Sequence, residues 1–394
     1  MGKRILKTDP EDLVSRFAEK NVKNKKEFGE DARLAFKRHL NDIKRQGTKE
    51  FPYVFEWEKA KDVIEFANKL TISEGQKKKP FTCEGFQIFI IGSLFGWRDM
   101  NTGDRRFTES YVQLSRQQGK SILNAVLGLY CGNFDGYMEG QIYCTATKQE
   151  QAKIVLKEII KFIRADSDLE ELFNIKEYRS EVIGNITNTS IRALGRDTDS
   201  IDGFRPYLGI VDEYHAHKTN QMYKLLKDGA ADLLDYLISV ITTAGFNVNG
   251  PCKELYDYGR RILRGVDVNE AQFVYIAQMD EDDDIWDPKN WIKCCPHSGH
   301  DEKKMKKMQQ DAEKAKSMGG SELLNFLTKR LNMWVQASAK AFLKIDEWLK
   351  NGSSRTLEDF KGKKAICGLD LSSGGDLTSL TLEFVYYNAD HEKK

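Results

Sequence analysis

The 394-residue sequence lacks an excess of charge of either sign: 61 Lys and Arg stand against 60 Asp and Glu, a net of +1. That balance excludes a whole-molecule positive field, so any nucleic-acid contact must come from local basic stretches. Three are present, Lys20 to Lys26, Gln76 to Lys79 and Lys303 to Lys316, and a solvated helix face or loop is the plainer account of each. Long apolar runs are missing too. The longest, Phe86 to Trp97, is too short to span a bilayer and is interrupted by Gly92 and Gly96. The N-terminus, MGKRILKTDPEDL, has no apolar signal region. The seven cysteines are odd in number and follow no framework spacing, which reads as a reducing, intracellular compartment. No internal repeat is present. These absences predict a soluble cytoplasmic protein, long enough for two or three domains.

What is there is an alternation. Residues 1–50 are charged and of helical character. Phe51 to Leu70 opens extended and continues with apolar residues at helical spacing, Ala60, Val63, Ile64 and Phe66. From Thr82 onward, strand-length apolar runs alternate with helical segments. Strands are predicted over Glu109 to Leu114, Gln141 to Ala146, Tyr207 to Val211, Leu237 to Thr243 and Phe273 to Ile276. Helices are predicted from Gly119 to Tyr130, Lys148 to Arg164, Glu302 to Met318 and Glu322 to Met333. Such alternation implies an α/β fold, a mainly parallel sheet flanked by helices. The expected organisation is a helical segment to residue 50, an α/β domain with a helical closing subdomain over 51–350, a linker over 351–364 and a further fragment over 365–394.

Three pieces carry chemistry. The first is SRQQGKS, residues 115 to 121, between a strand and a helix. A helix N-terminus there offers free N–H groups and the positive end of its dipole to a phosphate. Ser115, Arg116, Gln117 and Gln118 form the loop, and Gly119 lets the backbone approach the anion. Lys120 reaches the β- and γ-phosphates, and Ser121 places a hydroxyl on Mg²⁺. The usual first glycine of a P-loop is replaced by Leu114. The second piece is YLGIVDE, an apolar strand ending in two acids. Asp212 would hold the magnesium of ATP through water and Glu213 would polarise the attacking water. The third is ITTAG, where Thr242 and Thr243 stand at a strand's carboxyl end and would sense the γ-phosphate. A P-loop NTPase of the catalytic-glutamate type is expected.

From Tyr53 to Tyr387, these pieces in this order resemble the large terminase subunit of tailed bacteriophages, the motor that packages DNA. Arg116 with Gly119 looks like the terminase form of the P-loop, and Arg116 would act within its own site. Gln87, ahead of IFIIGSLFGW, is similar to the family's adenine-contacting residue. YCTATKQEQAK, IRALGRDTDSIDGFRPYLGIVDEYHAH and FLTKRLNMWV resemble the family's segments after the P-loop, around the acidic pair and at the close of the ATPase domain. ITTAG matches its coupling motif.

The resemblance implies a homo-oligomeric ring on the procapsid, in the cytoplasm of the infected bacterial host. It would hydrolyse ATP to push double-stranded DNA inward, with the portal protein and the small terminase subunit as partners and no membrane. Arg192, Arg196 and Arg205 are candidates to reach a neighbour's ATP. AICGLDLSSGGDLTSLTLEF, residues 365 to 384, resembles the opening hairpin of the family's ribonuclease H-like nuclease. Asp370 then matches the first Mg²⁺- or Mn²⁺-binding aspartate. Asp376 and Glu383 lie in the same hairpin, so a truncated nuclease without cleavage by this chain is expected.

Two other readings stay open: a helicase-like nucleic-acid-stimulated ATPase, and an inactive remnant that only binds partners. In CCPHSGH, the spacing of Cys294, Cys295, His297 and His300 fits no common zinc site. His215 and His217 read as polar residues leading into a loop, and Asp280 to Asp284 as a solvated acidic loop. Trp286, Trp291, Trp334 and Trp348 read as packing.

Overall fold

The computed structural model describes residues 11–74, 77–147, 149–194, 204–335, 356–371 and 379–385. The chain divides into two units, Met1–Ala337 and Ser338–Lys394.

The first unit opens with α1 (Leu13–Asn21) and α2 (Glu30–Arg45). Asp12 caps α1, accepting from the backbone N–H groups of Val14 at 2.9 Å and Ser15 at 3.0 Å. These helices do not form a segment of their own. Val14, Ala18 and Phe36 are fully buried in the same core as the sheet, so the expected boundary at residue 50 has no counterpart. The charge that suggested separation lies on the outer faces of amphipathic helices.

After β1 (Tyr53–Phe55) come α3 (Trp57–Lys69) and the antiparallel hairpin of β2 (Thr71–Glu74) and β3 (Lys77–Pro80). The long apolar run forms α4 (Gly85–Gly96), buried on every side. Gly92 is where α1 crosses it: a Cβ there would lie 2.4 Å from a methyl carbon of Val14. A short β4 (Trp97–Asp99) returns antiparallel to β1.

The central sheet is built from β5 (Glu109–Gln113), β6 (Gln141–Thr145), β7 (Phe173–Lys176), β8 (Glu181–Gly184), β9 (Ser190–Leu194), β10 (Pro206–Asp212), β11 (Leu237–Thr242) and β12 (Gln272–Ile276). Its order is β12-β5-β11-β10-β6-β9-β8-β7. The six strands from β12 to β9 run parallel, and β8 and β7 extend the edge antiparallel. The parallel strands are the predicted ones, legible because burial on both faces demands near-continuous apolar runs. Only β9 joins them unannounced, and β7 and β8 were equally unforeseen; these edge strands are short and interspersed with polar residues. Connecting helices are α5 (Lys120–Asn133), α6 (Gln149–Ala165), α7 (Ser167–Leu172), α8 (Gln221–Gly229) and α9 (Pro251–Leu263). The α/β expectation holds, and the sheet orders the site: β11, carrying ITTAG, lies between the P-loop strand β5 and the acid-bearing strand β10.

The closing subdomain has its own small core of Trp291, Cys294, Cys295, Met308 and Phe326. It holds α10 (Glu302–Met318) and α11 (Gly320–Asn325), then a π-type turn over Phe326–Arg330. The expected helix to Met333 stops short because Asn332 takes a left-handed φ of 58°. The basic run at 303–316 lies along α10 with its lysines exposed. Trp291 is buried and Trp286 stacks on Phe326, while Trp348 falls outside the described residues.

In the second unit, a 3₁₀ turn at Leu357–Phe360 precedes β13 (Ala365–Asp370) and β14 (Ser379–Phe384), an antiparallel hairpin with exposed strands. Most of the expected linker lies outside the described residues.

Candidate nucleotide site

The site forms at the carboxyl ends of the parallel strands. β5 ends at Gln113, and the loop 114–119 delivers the chain to α5. Gly119 caps that helix in the left-handed region, φ 80° and ψ 18°. A Cβ there would also lie 2.9 Å from Gln87 Nε2. Glycine is therefore required twice, by the backbone turn and by the side chain that closes over it. Gln87 is buried, and its Oε1 accepts the Glu84 N–H at 2.9 Å, capping α4. The structure thus places the predicted adenine-contacting residue against the phosphate loop.

Lys120 is buried at the first turn of α5. Its Nζ donates to the carbonyls of Leu114 at 3.3 Å and Ser115 at 3.1 Å. Burial lowers its pKa, while Glu213 and Asp212 pull it back up, so all three charges share one space. Asp212 ends β10. Burial, then the neighbouring Glu213 charge, raises its carboxyl to about 6. Glu213 follows in a left-handed conformation, φ 48°. Burial pushes its pKa up, but the His215 hydrogen bond and the Lys120 charge outweigh that, and the net shift is downward. Two adjacent acids are thus driven apart, one easily protonated and one held as carboxylate.

His215, read from sequence as a loop residue, belongs to this site. Its Nδ1 lies 3.1 Å from Glu213 Oε2 and 3.2 Å from the hydroxyls of both Thr242 and Thr243. The two threonines are buried and bond inward, to Thr243 O at 3.0 Å and Ala244 O at 2.9 Å. Their predicted contact with a γ-phosphate is replaced by contact with the residue that holds Glu213. The only signal in the sequence was position, two residues beyond the acid.

The loop is stitched to the closing subdomain. Ser115 Oγ donates to Cys294 O at 2.8 Å, and Gln118 Oε1 accepts the backbone N–H groups of His297 at 2.8 Å and Ser298 at 3.1 Å. Arg330 reaches Gln117 Oε1 at 2.9 Å, and the Arg116 N–H donates to Lys329 O at 3.1 Å. Arg116 and Gln117 are exposed and line a cavity of about 310 Å³ with Lys314, Lys329 and Arg330. The CCPHSGH residues serve this stitching: Cys294 and Cys295 are buried behind Ser115, and His297 pairs with Glu84.

The donor set fits a magnesium nucleotide. A helix N-terminus, a glycine in the left-handed region and a buried lysine suit phosphates. The Ser121 hydroxyl, exposed at the mouth, and the Asp212 carboxylate supply the hard oxygen ligands that Mg²⁺ takes.

The arginine candidates do not converge on this site. Arg192 on β9 is paired with Glu181 at 2.6 Å. Arg205 is exposed before β10, and Arg196 lies outside the described residues. In the hairpin, Asp370 faces Ser379 and Glu383 faces Ile366 in register. At about 3.3 Å per residue the two acids stand roughly 13 Å apart along the strands, too far to share a metal. Asp376 is outside the described residues.

Residues 85–261 match the family model described as terminase large subunit, ATPase domain, and residues 266–391 that of terminase large subunit, endonuclease domain. The second match begins ahead of β12. It takes in the closing subdomain as well as the hairpin, and so reaches back well beyond the fragment at 365–394 and leaves the expected truncation without support. Protein YmfN of Escherichia coli (strain K12) is 35% identical over 184 residues, 45% of this chain and 39% of that protein. The crystal structure of the HK97 bacteriophage large terminase shares the fold, with a TM-score of 0.60 and 23% identity, over 85% of this chain and 66% of that one. The chain covers less than two thirds of the length of either. Among the described residues, no helix is long and apolar enough to cross a membrane.

Proposed function

Matched in tandem by both domain models, the chain belongs to the terminase large subunit family, and we propose that it hydrolyses ATP to move double-stranded DNA into a procapsid. The observation that carries this reading is the placement of Glu213. It is a carboxylate kept ionised beside a buried P-loop lysine, one strand away from the phosphate loop.

ATP supplies the transferable phosphoryl group and Mg²⁺ neutralises its charge. The N-terminus of α5 and Lys120 would hold the phosphates, and Ser121 and Asp212 the magnesium. Glu213 orients a water and takes its proton. Arg116 stands at the loop apex to stabilise charge within its own subunit. The hydrogen bonds from loop 114–119 to residues 294–330 link the nucleotide to the closing subdomain, which gives hydrolysis a lever. A ring of subunits with the portal protein and the small terminase subunit would complete the motor. In the hairpin, Asp370 would offer a single carboxylate to Mg²⁺ or Mn²⁺, and its described neighbours do not complete a two-metal nuclease site.

The test is steady-state ATP hydrolysis with magnesium, with and without double-stranded DNA. Wild type should turn over and be stimulated by DNA, while Glu213→Gln should bind ATP and lose activity by about 10²-fold or more. Undiminished turnover in Glu213→Gln would remove the basis of this reading.

A further inference from the structure

We propose that His215 is a positioning residue for hydrolysis, whose Nδ1–H holds the Glu213 carboxylate and ties it to the threonine pair at the end of β11. The inference rests on the reading of Glu213 given above.

The proton count around the ring decides which nitrogen donates. Each threonine hydroxyl has one proton to give. That of Thr242 goes to Thr243 O at 3.0 Å and that of Thr243 to Ala244 O at 2.9 Å. Thr242 Oγ1 moreover accepts the backbone N–H of His215 at 3.0 Å. Neither hydroxyl has a proton left for Nδ1, and an ionised Glu213 has none. Nδ1 therefore faces three acceptors, at 3.1, 3.2 and 3.2 Å, and must itself carry the proton. The ring is fixed from behind, since a Cβ on Gly245 would lie 2.9 Å from His215 Cβ.

One N–H among three acceptors is a choice. When it is given to Glu213, it orients the carboxylate; when it is given to the threonines, Glu213 is released. The orientation of Glu213 thus depends on where residues 242–245 sit. Those residues are themselves bound to the closing subdomain, through the Ala244 N–H to Asn332 Oδ1 at 2.8 Å. His215 is where the position of that subdomain meets the hydrolytic carboxylate.

The experiment compares His215→Ala, His215→Asn and His215→Gln with wild type and Glu213→Gln, on the full chain. We expect His215→Ala to lower kcat by about ten- to a hundred-fold. KM and the Kd of a non-hydrolysable ATP analogue should stay within about two-fold, because phosphate contacts are untouched. His215→Asn, whose amide can stand where Nδ1 stood, should recover most of kcat, and His215→Gln should not. Wild-type kcat in His215→Ala beside an inactive Glu213→Gln would overturn the proposal alone, as would equal rescue by Asn and Gln. An active Glu213→Gln, or a wild type without turnover, would instead overturn the functional reading. In that event ¹⁵N shifts of histidine-labelled protein, assigned by the signals lost in His215→Gln, still read the tautomer. Nδ1 should be protonated, and an Nε2–H ring would defeat the inference.

Discussion

The side-chain carbonyl of Asn332 accepts the backbone N–H of Ala244 at 2.8 Å. Its amide donates to Ala277 O at 2.7 Å, and its own carbonyl receives Gln113 Nε2 at 3.2 Å. One fully buried residue thus laces together the ends of β5, β11 and β12, and does so at a left-handed φ of 58° that asparagine tolerates better than most residues. Asn332→Ala strands a buried N–H and a buried carbonyl, each costing about 1–3 kcal/mol, and adds backbone strain. Urea denaturation should show a loss of about 3 kcal/mol or more. A variant as stable as wild type would mean that the three strand ends are held otherwise.

Lys120 spends its ammonium on the carbonyls of Leu114 and Ser115, which lie within its own loop. These bonds are local, so losing them costs little; losing a charge from the triphosphate costs much more. Lys120→Ala should weaken ATP binding by about ten-fold or more, as expected when a charge-assisted contact worth about 1.5–3 kcal/mol is removed. Binding of ATP measured by calorimetry decides this, and equal affinities would argue that the nucleotide sits elsewhere.

Gly119→Ala tests the loop from the backbone side. A left-handed φ of 80° costs an L-residue about 1–2 kcal/mol, and the new Cβ would press on Gln87 Nε2. That side chain is held at its other end by the Glu84 N–H and cannot simply turn away. Affinity for ATP should fall, and the drop should be partly relieved by adding Gln87→Ala, which empties the space. If Gly119→Ala binds as wild type does, the loop is more compliant than its geometry implies.

The legible parts of this protein are those where one residue type answers one demand. Buried parallel strands require apolar runs, and Tyr207–Val211 and Leu237–Thr242 announced themselves. A phosphate loop requires glycine and lysine before a helix, and Gly119 with Lys120 stood out even without the usual first glycine. What stayed hidden is what distance along the chain conceals. Nothing near Asn332 in sequence says that it meets Ala244 and Ala277, and nothing near His215 says that its ring faces Thr242 and Thr243 on another strand. Charge misled over residues 1–50, because amphipathic helices show their polar faces in sequence and their apolar faces only in the core.

His39 on α2 gives the fold a pH dependence of predictable sign. Its Nδ1 accepts the Trp97 indole N–H at 3.1 Å, and its Nε2 is 2.9 Å from Ser15 Oγ. Complete burial, with the Arg106 charge added, lowers its pKa from the usual 6.5 to about 3. The ring is therefore neutral in the folded protein, while in the unfolded chain it takes up a proton below about 6.5. The unfolded state binds more protons between those values, so this contribution is complete above about pH 6.5 and is lost as pH falls toward 3. From pH 7 to pH 5 the loss from this one residue should be about 2 kcal/mol, at 1.36 kcal/mol per pH unit. His39→Asn removes the titration, at some cost in packing. Its stability between pH 7 and pH 5, measured in urea beside wild type, should therefore decline less steeply. Parallel declines would place the acid sensitivity on other groups and leave His39 a packing residue alone.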